Sequence, residues 1–322
     1  MMGQGMKLRG ALYLTTAASI WGGMYVVSKY VLAYIPPFTL LWMRYVLAFV
    51  LLYIILQSIQ LRQEIKIVLT SSDWQWFALI GFVGYFISVA LQFMGTKLSD
   101  AHTGALITAA SPAFILLFAW GILKESITKR KVSALLVATI GVLIVIGLPQ
   151  SWDESFFGNL YLFGAAITWA LLSVFVKKVS SSHHSLTITT YALLFAILYI
   201  TPAMLWEWRV TQFNFYEQLF ATPWVTIGIL YLGIVATAIA FFLWNRGMAL
   251  MEAGVGSFFF FFQPVVGALL GWWILNEKLT INFWIGALFI LLGVSVAVWR
   301  EGRGHTEKGT SYACEVEKVD SL

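Results

Sequence analysis

Residues 100–146 read DAHTGALITAASPAFILLFAWGILKESITKRKVSALLVATIGVLIVI, and residues 252–298 read EAGVGSFFFFFQPVVGALLGWWILNEKLTINFWIGALFILLGVSVAV. Laid over each other, Pro112 falls on Pro264 and Glu125 on Glu277, an offset of 264 − 112 = 152. Gly104, Leu123, Thr128 and Gly141 fall on Gly256, Leu275, Thr280 and Gly293 at the same offset. Each unit is an apolar run with a central proline, a glutamate at its end, and a second apolar run carrying a glycine. A duplicated apolar unit is the signature of a repeat-built membrane protein.

Composition agrees. Of 322 residues, 60% are hydrophobic and 11% charged, against about 25% charged in a soluble domain. A helix that crosses a bilayer needs about 20 apolar residues. Ten runs approach that length: 9–30, 38–57, 75–96, 101–123, 131–148, 158–178, 185–205, 223–245, 253–275 and 281–299. The expected fold class is an all-α integral membrane protein with ten transmembrane helices. Connections are short, and only residues 300–322 form a polar tail. The first run follows Lys7 and Arg9 but exceeds the roughly 7–15 apolar residues of a signal sequence, so it reads as an uncleaved helix. Cys314 is the single cysteine, which excludes an intramolecular disulfide and a metal site built from several cysteines. No cofactor is indicated.

The first helices repeat too. Gly10, Leu12, Tyr13, Leu14, Trp21 and Lys29 fall on Gly158, Leu160, Tyr161, Leu162, Trp169 and Lys177, an offset of 158 − 10 = 148. The units are therefore 8–148 and 158–299. Five helices is an odd number, so the second unit enters the membrane inverted. The net charge of +5 points to the membrane rather than to nucleic acid. With the N-terminus inside, Lys7, Arg9, Arg62, Lys66, Lys124, Lys129, Arg130, Lys131, Lys177, Lys178, Arg246, Arg300 and Arg303 all sit at inner ends. Only Lys29, Lys97, Arg209 and Lys278 sit at outer ends. That bias predicts both termini on the cytoplasmic side. Glu125 then lies at the inner face and Glu277 at the outer.

Ile20-Trp21-Gly22-Gly23, Lys29, Pro36-Pro37 and Arg44 resemble the opening of EamA-type members of the drug/metabolite transporter superfamily. So does the duplicated unit Pro112–Glu125–Thr128–Gly141 and Pro264–Glu277–Thr280–Gly293. The resemblance covers about residues 8–299, the repeat-built region. It implies ten helices, cytoplasmic termini and export of small metabolites such as amino acids across a bacterial plasma membrane. Members differ widely in substrate, so it names none.

Depth selects the candidate residues. At about 1.5 Å per residue, Pro112 lies about 18 Å from Asp100 and about 20 Å from Glu125. That places Pro112 and Pro264 near the midplane, where inverted repeats hold their substrate. A helix-interior proline frees the carbonyl four residues back, here Thr108 and Phe260. The pair reads as hinges lining a cavity, or as static kinks. Ser111 and Gln263 precede the prolines, and a buried amide such as Gln263 is costly against lipid. The run Phe258–Phe262 spans more than a helical turn and reads as mixed lipid and packing surface. Trp21, Tyr25 and Lys29 share one helix face, as do Trp169, Ser173 and Lys177. These stripes face the pathway or serve packing, and the two lysines reach for the interface. Tyr85, Gln92 and Asn245 add polar groups of open facing. Arg44, about 10 Å deep, either meets a substrate carboxylate, or snorkels to the interface or bonds helix-end carbonyls. Glu125 and Glu277 are helix-end groups, structural or gating. Gly267 and Gly271 permit close helix contact, within the chain or between monomers. Monomer and homodimer both stay open.

No Asp or Glu falls mid-span, as an embedded proton relay requires. That favours a neutral or zwitterionic solute held by aromatic faces, amides and hydroxyls. No H-E-x-x-H, Ser/His pair or embedded Asp pair speaks for an intramembrane enzyme. The leading expectation is a secondary transporter exporting small metabolites. An exporter of drug-like amphipathic compounds, and a non-transporting sensor or scaffold, are the alternatives.

Overall fold

A computed structural model describes residues 2–63, 69–98, 107, 110–146, 156–220, 222–275 and 281–298. Thr108, Glu277 and the tail from 300 lie outside these residues. Among the described residues the regular structure is helical throughout. The main helices are α1 Met2–Val31, α2 Pro37–Gln63, α3 Ser71–Leu98, α4 Ser111–Leu123 and α5 Lys129–Ile146. They continue as α6 Phe156–Val179, α7 Ser185–Thr211 and α8 Pro223–Leu250. The stretch α9 comprises Ala253–Gly256, a tighter 3-10 turn Ser257–Phe261 and Phe262–Leu275. The last helix is α10, Ile281–Val298. A short helix, Phe215–Leu219, leads into α8. Among the described residues, five helices are long and apolar enough to cross a membrane, within α2, α3, α6, α7 and α8. Shorter apolar helices occupy Ser111–Leu123, Ala253–Gly267 and Ile281–Ala297.

Local chemistry sets the ends. Thr70 and Asp73 form a reciprocal capping box at the start of α3, satisfying two donors that the first turn leaves open. Thr222 caps α8 and Pro223 occupies its first turn, where a missing N–H is harmless. Lys124 ends α4 in the left-handed region at φ 59°.

Helices α3 and α8 each contain a π-helical segment, Gly81–Ser88 and Tyr231–Ile239. Gly84 and Gly233 sit in these at an offset of 233 − 84 = 149. A Cβ on Gly84 would lie 2.4 Å from Leu172, and one on Gly233 would lie 2.9 Å from Leu47. The wide turns thus press directly on α6 and α2.

Pro264 stands within the continuous helical stretch Ala253–Leu275, and Pro112 is the second residue of the segment Ser111–Phe118. Pro112 follows the turn at Ala110, and Pro264 follows the 3-10 turn and Phe262. A change of winding from 3-10 to α precedes Pro264. The phenylalanines are more enclosed than expected: Phe258, Phe259, Phe260 and Phe261 are all buried. The rings still point round the full circumference of the turn, and they are all buried because α1, α4, α5 and α10 surround it.

Packing pairs helices in a regular way. Helix α1 lies on α8 and α9, while α6 lies on α3 and α4. Helix α2 packs on α7 and α8, α7 also on α3, and α5 on α10. Raising or lowering each label by five converts this set of pairs into itself. Glycines bring several backbones together. A Cβ on Gly141 would lie 2.6 Å from the Gly286 carbonyl oxygen, and one on Gly22 would lie 2.8 Å from that of Gln263. Gly267 faces Gly22 across that contact, so it packs α9 on α1 within the chain.

Candidate functional site: an aromatic cleft between the helices

A narrow cleft lies where α1, α2, α3, α6, α8 and α9 converge, its inner volume about 20 Å³, room for about one water. Trp21, Met24, Arg44, Ser88, Val89, Gln92, Ala165, Trp169, Phe241, Phe260 and Gln263 line it. Its wall is aromatic. Trp21 and Trp169 meet edge to face, with centroids 5.1 Å apart and planes at 89°. Phe241 and Phe260 stand 5.9 Å from Trp21, and Trp244 stands 5.4 Å from it. Tilted and edge-to-face contacts at these spacings suit the ring quadrupoles.

The π segment of α8 supplies polar partners. The Trp21 indole N–H donates to the Ala236 carbonyl at 2.9 Å. Arg44 is fully buried. Its Nε donates to Thr237 Oγ1 at 2.7 Å, and its Nη2 lies 3.5 Å from the Ala236 carbonyl oxygen. The guanidinium covers Phe93 at 5.2 Å and Tyr45 at 5.9 Å, cation–π contacts that partly offset its desolvation. Arg44 therefore does not reach for the interface. Nη1 of Arg44 and Nε1 of Trp169 are buried without a hydrogen-bond partner. Among the described residues no carboxylate pairs with Arg44.

Of the sequence-selected residues, Trp21, Arg44, Gln92, Trp169 and Gln263 come together in the cleft. Three more stand directly behind it. Gln92 donates to the Tyr25 hydroxyl at 2.8 Å. Tyr85 stacks on Phe241 at 4.7 Å and accepts from Asn245. Ser173 donates to the Trp169 carbonyl and accepts from Trp244. Ser111 and Pro112 are buried but line no part of the cleft, and Pro264 adjoins it through Gln263. Phe241, Phe260, Ser88 and Met24 were not among the candidates. Ser88 and Thr237 recur at an offset of 237 − 88 = 149, a signal that would have found both. Among the described residues no cluster of His, Cys, Asp or Glu could hold a metal ion.

Charged groups tie the helix ends. Glu125, at the end of α4, accepts from the N–H groups of Ala253 and Gly254 at 2.7 and 2.9 Å. It thereby caps α9. Lys131 is almost fully buried beside it, 2.7 Å from Glu252 and 3.9 Å from Glu125. Glu207 of α7 does the same for α2, accepting from Phe38 N, Thr39 N and Thr39 Oγ1 at 3.2, 2.7 and 2.8 Å. The predicted span 185–205 stops short of Glu207, whereas α7 continues past it. Lys29 donates to the Thr96 carbonyl near the end of α3, and Lys177 to Ala249 near the end of α8. Cations there complement the helix dipole.

Apolar helices of spanning length around a cleft dressed with amides, indoles and a guanidinium define a membrane protein of the transporter class. The model of the EamA-like transporter family matches residues 8–147 and again 156–299, and the chain belongs to that family. It is similar to an uncharacterized transporter, YetK, of Bacillus subtilis, at 27% identity over 88% of this chain and 85% of the relative. An uncharacterized transporter of Archaeoglobus fulgidus is 22% identical over 90% of this chain and 97% of its own length. A solved crystal structure superposes with TM-score 0.72 at 19% identity, covering 90% of this chain and 96% of the other, which shows the shared fold. Members of the family are transporters rather than enzymes.

Proposed function

We propose that this protein is a secondary transporter that exports small metabolites, amino acids or related compounds, across the plasma membrane by alternating access. The observation that carries the reading is the meeting of Trp21 with its repeat mate Trp169 inside a cleft that also holds Arg44, Gln92 and Gln263. Ten spans in two inverted units, 8–148 and 158–299, with both termini cytoplasmic, are part of the proposal. The self-matching set of helix contacts and the twofold family match support it. So does the asymmetry of Lys and Arg between helix ends. Pro112 and Pro264 act as hinges when the halves rock. A second reading, export of drug-like amphipathic compounds, is favoured by the clustered rings.

Efflux from proteoliposomes tests both. Vesicles are loaded with labelled amino acids, related metabolites or amphipathic dyes. Efflux of one class is expected, and Ala165→Phe, which fills the cleft, should abolish it while the protein stays monodisperse. The Pro112→Ala/Pro264→Ala double variant should insert normally and transport more slowly. If no solute in a broad panel moves, the transport reading is lost.

A further inference from the structure

Two buried donors on one cleft lack partners, and they are not alike. Trp21 uses its indole N–H on the Ala236 carbonyl. Its repeat mate Trp169, 9% exposed, leaves Nε1 without a partner. Arg44, 0% exposed, has Nε and Nη2 engaged and leaves Nη1 without one. Both residues line the cleft. A buried donor with no acceptor is costly, and a buried charge with no counter-charge more so. The cation–π contacts with Phe93 and Tyr45 delocalise the charge but supply no acceptor.

The remaining lining sets the sign. Among the described residues no carboxylate lines the cleft, so a ligand ammonium would find no counter-ion there and would feel the guanidinium. A ligand carboxylate would supply acceptors for Nη1 and Nε1 together, and charge-assisted hydrogen bonds of this kind are the strong ones. The rings of Trp21, Phe241 and Phe260 are left to hold an apolar body. We infer that the substrates of this cleft are organic carboxylates with an apolar body, bound through Arg44 and the Trp169 indole N–H, and that an amino group contributes nothing to their recognition. The inference rests on the cleft being the transport site.

The test is binding to the purified full-length protein in nanodiscs, using matched acids and amides. Acetate with acetamide, phenylacetate with phenylacetamide, and indole-3-acetate with indole-3-acetamide are the probes, together with phenethylamine and phenylalanine. Each apolar acid should bind about tenfold or more tighter than its amide, as a hydrogen bond to a charged group implies. Phenylacetate should bind at least as well as phenylalanine. Arg44→Gln should erase the preference for the acid, Arg44→Lys should keep part of it, and Trp169→Phe should weaken acids more than amides. The inference is overturned if no acid binds, if an amide or the amine binds as tightly as its acid, or if the preference survives Arg44→Gln. Should the Arg44 variants fail to fold, the wild-type panel and Trp169→Phe decide. Equal transport of acids and amides would sink the anion assignment and leave the transporter reading standing. Acid-selective binding without any efflux would do the reverse.

Discussion

Glu207 shows how one side chain can hold a helix start. Its carboxylate accepts from two backbone N–H groups and a hydroxyl at the beginning of α2, and it is 6% exposed. Glu207→Ala leaves those donors unmet, at a cost of about 2 kcal/mol and a Tm lower by roughly 3 °C for a chain of this size. Thermal unfolding in detergent reads this directly, and an unchanged Tm would show that water replaces the carboxylate. Sequence depth could mark Arg44, Trp21 and Trp169 because a charge or an indole inside an apolar run is conspicuous. It could not mark Glu207, which stands near a helix end where any carboxylate looks solvated. Nor could it mark Phe241 and Phe260, which are two rings among many in apolar helices. Their distinction comes from tertiary packing that sets both rings 5.9 Å from Trp21, and packing between distant helices is not written in composition.

At the scale of the element, close approach is the controlling quantity. A Cβ on Gly81 would lie 2.5 Å from the Ala192 carbonyl oxygen, a backbone atom that cannot rotate aside. Gly81→Ala should therefore push α3 off α7 and destabilise by about 1–3 kcal/mol, the range for overpacking. Nothing lies within 4 Å of a Cβ on Gly121, so Gly121→Ala should stay within about 0.5 kcal/mol of wild type. Denaturation of the two variants side by side checks the contrast, and equal effects would refute the steric reading. Helix existence was legible in the apolar runs. The π segments were not, because Gly81–Ser88 and Tyr231–Ile239 are as apolar as their α-helical neighbours. The prolines were legible as special positions, because a residue without an N–H stands out in an apolar helical run.

At the scale of the whole molecule, two carboxylates cross between the two stretches that the family model matches. Glu125 reaches from α4 to the start of α9, and Glu207 from α7 to the start of α2. On the orientation proposed above, Glu125, Lys131 and Glu252 close the cytoplasmic side. Glu125→Gln weakens that closure, so a cysteine placed at buried Ser257 in a Cys314→Ser background should react several-fold faster with an impermeant thiol reagent applied from that side, as charge-assisted bonds are about twice as strong as neutral ones. An unchanged rate would remove Glu125 from gating. On the proposed two-unit arrangement, Trp21 meets its own counterpart, Trp169, edge to face. A residue that touches its own counterpart lies beside the axis that exchanges the units, and rotation displaces points near its axis least. The two indoles are thus the fulcrum of the machine: helix ends can part on either side while the rings keep near their 5.1 Å spacing.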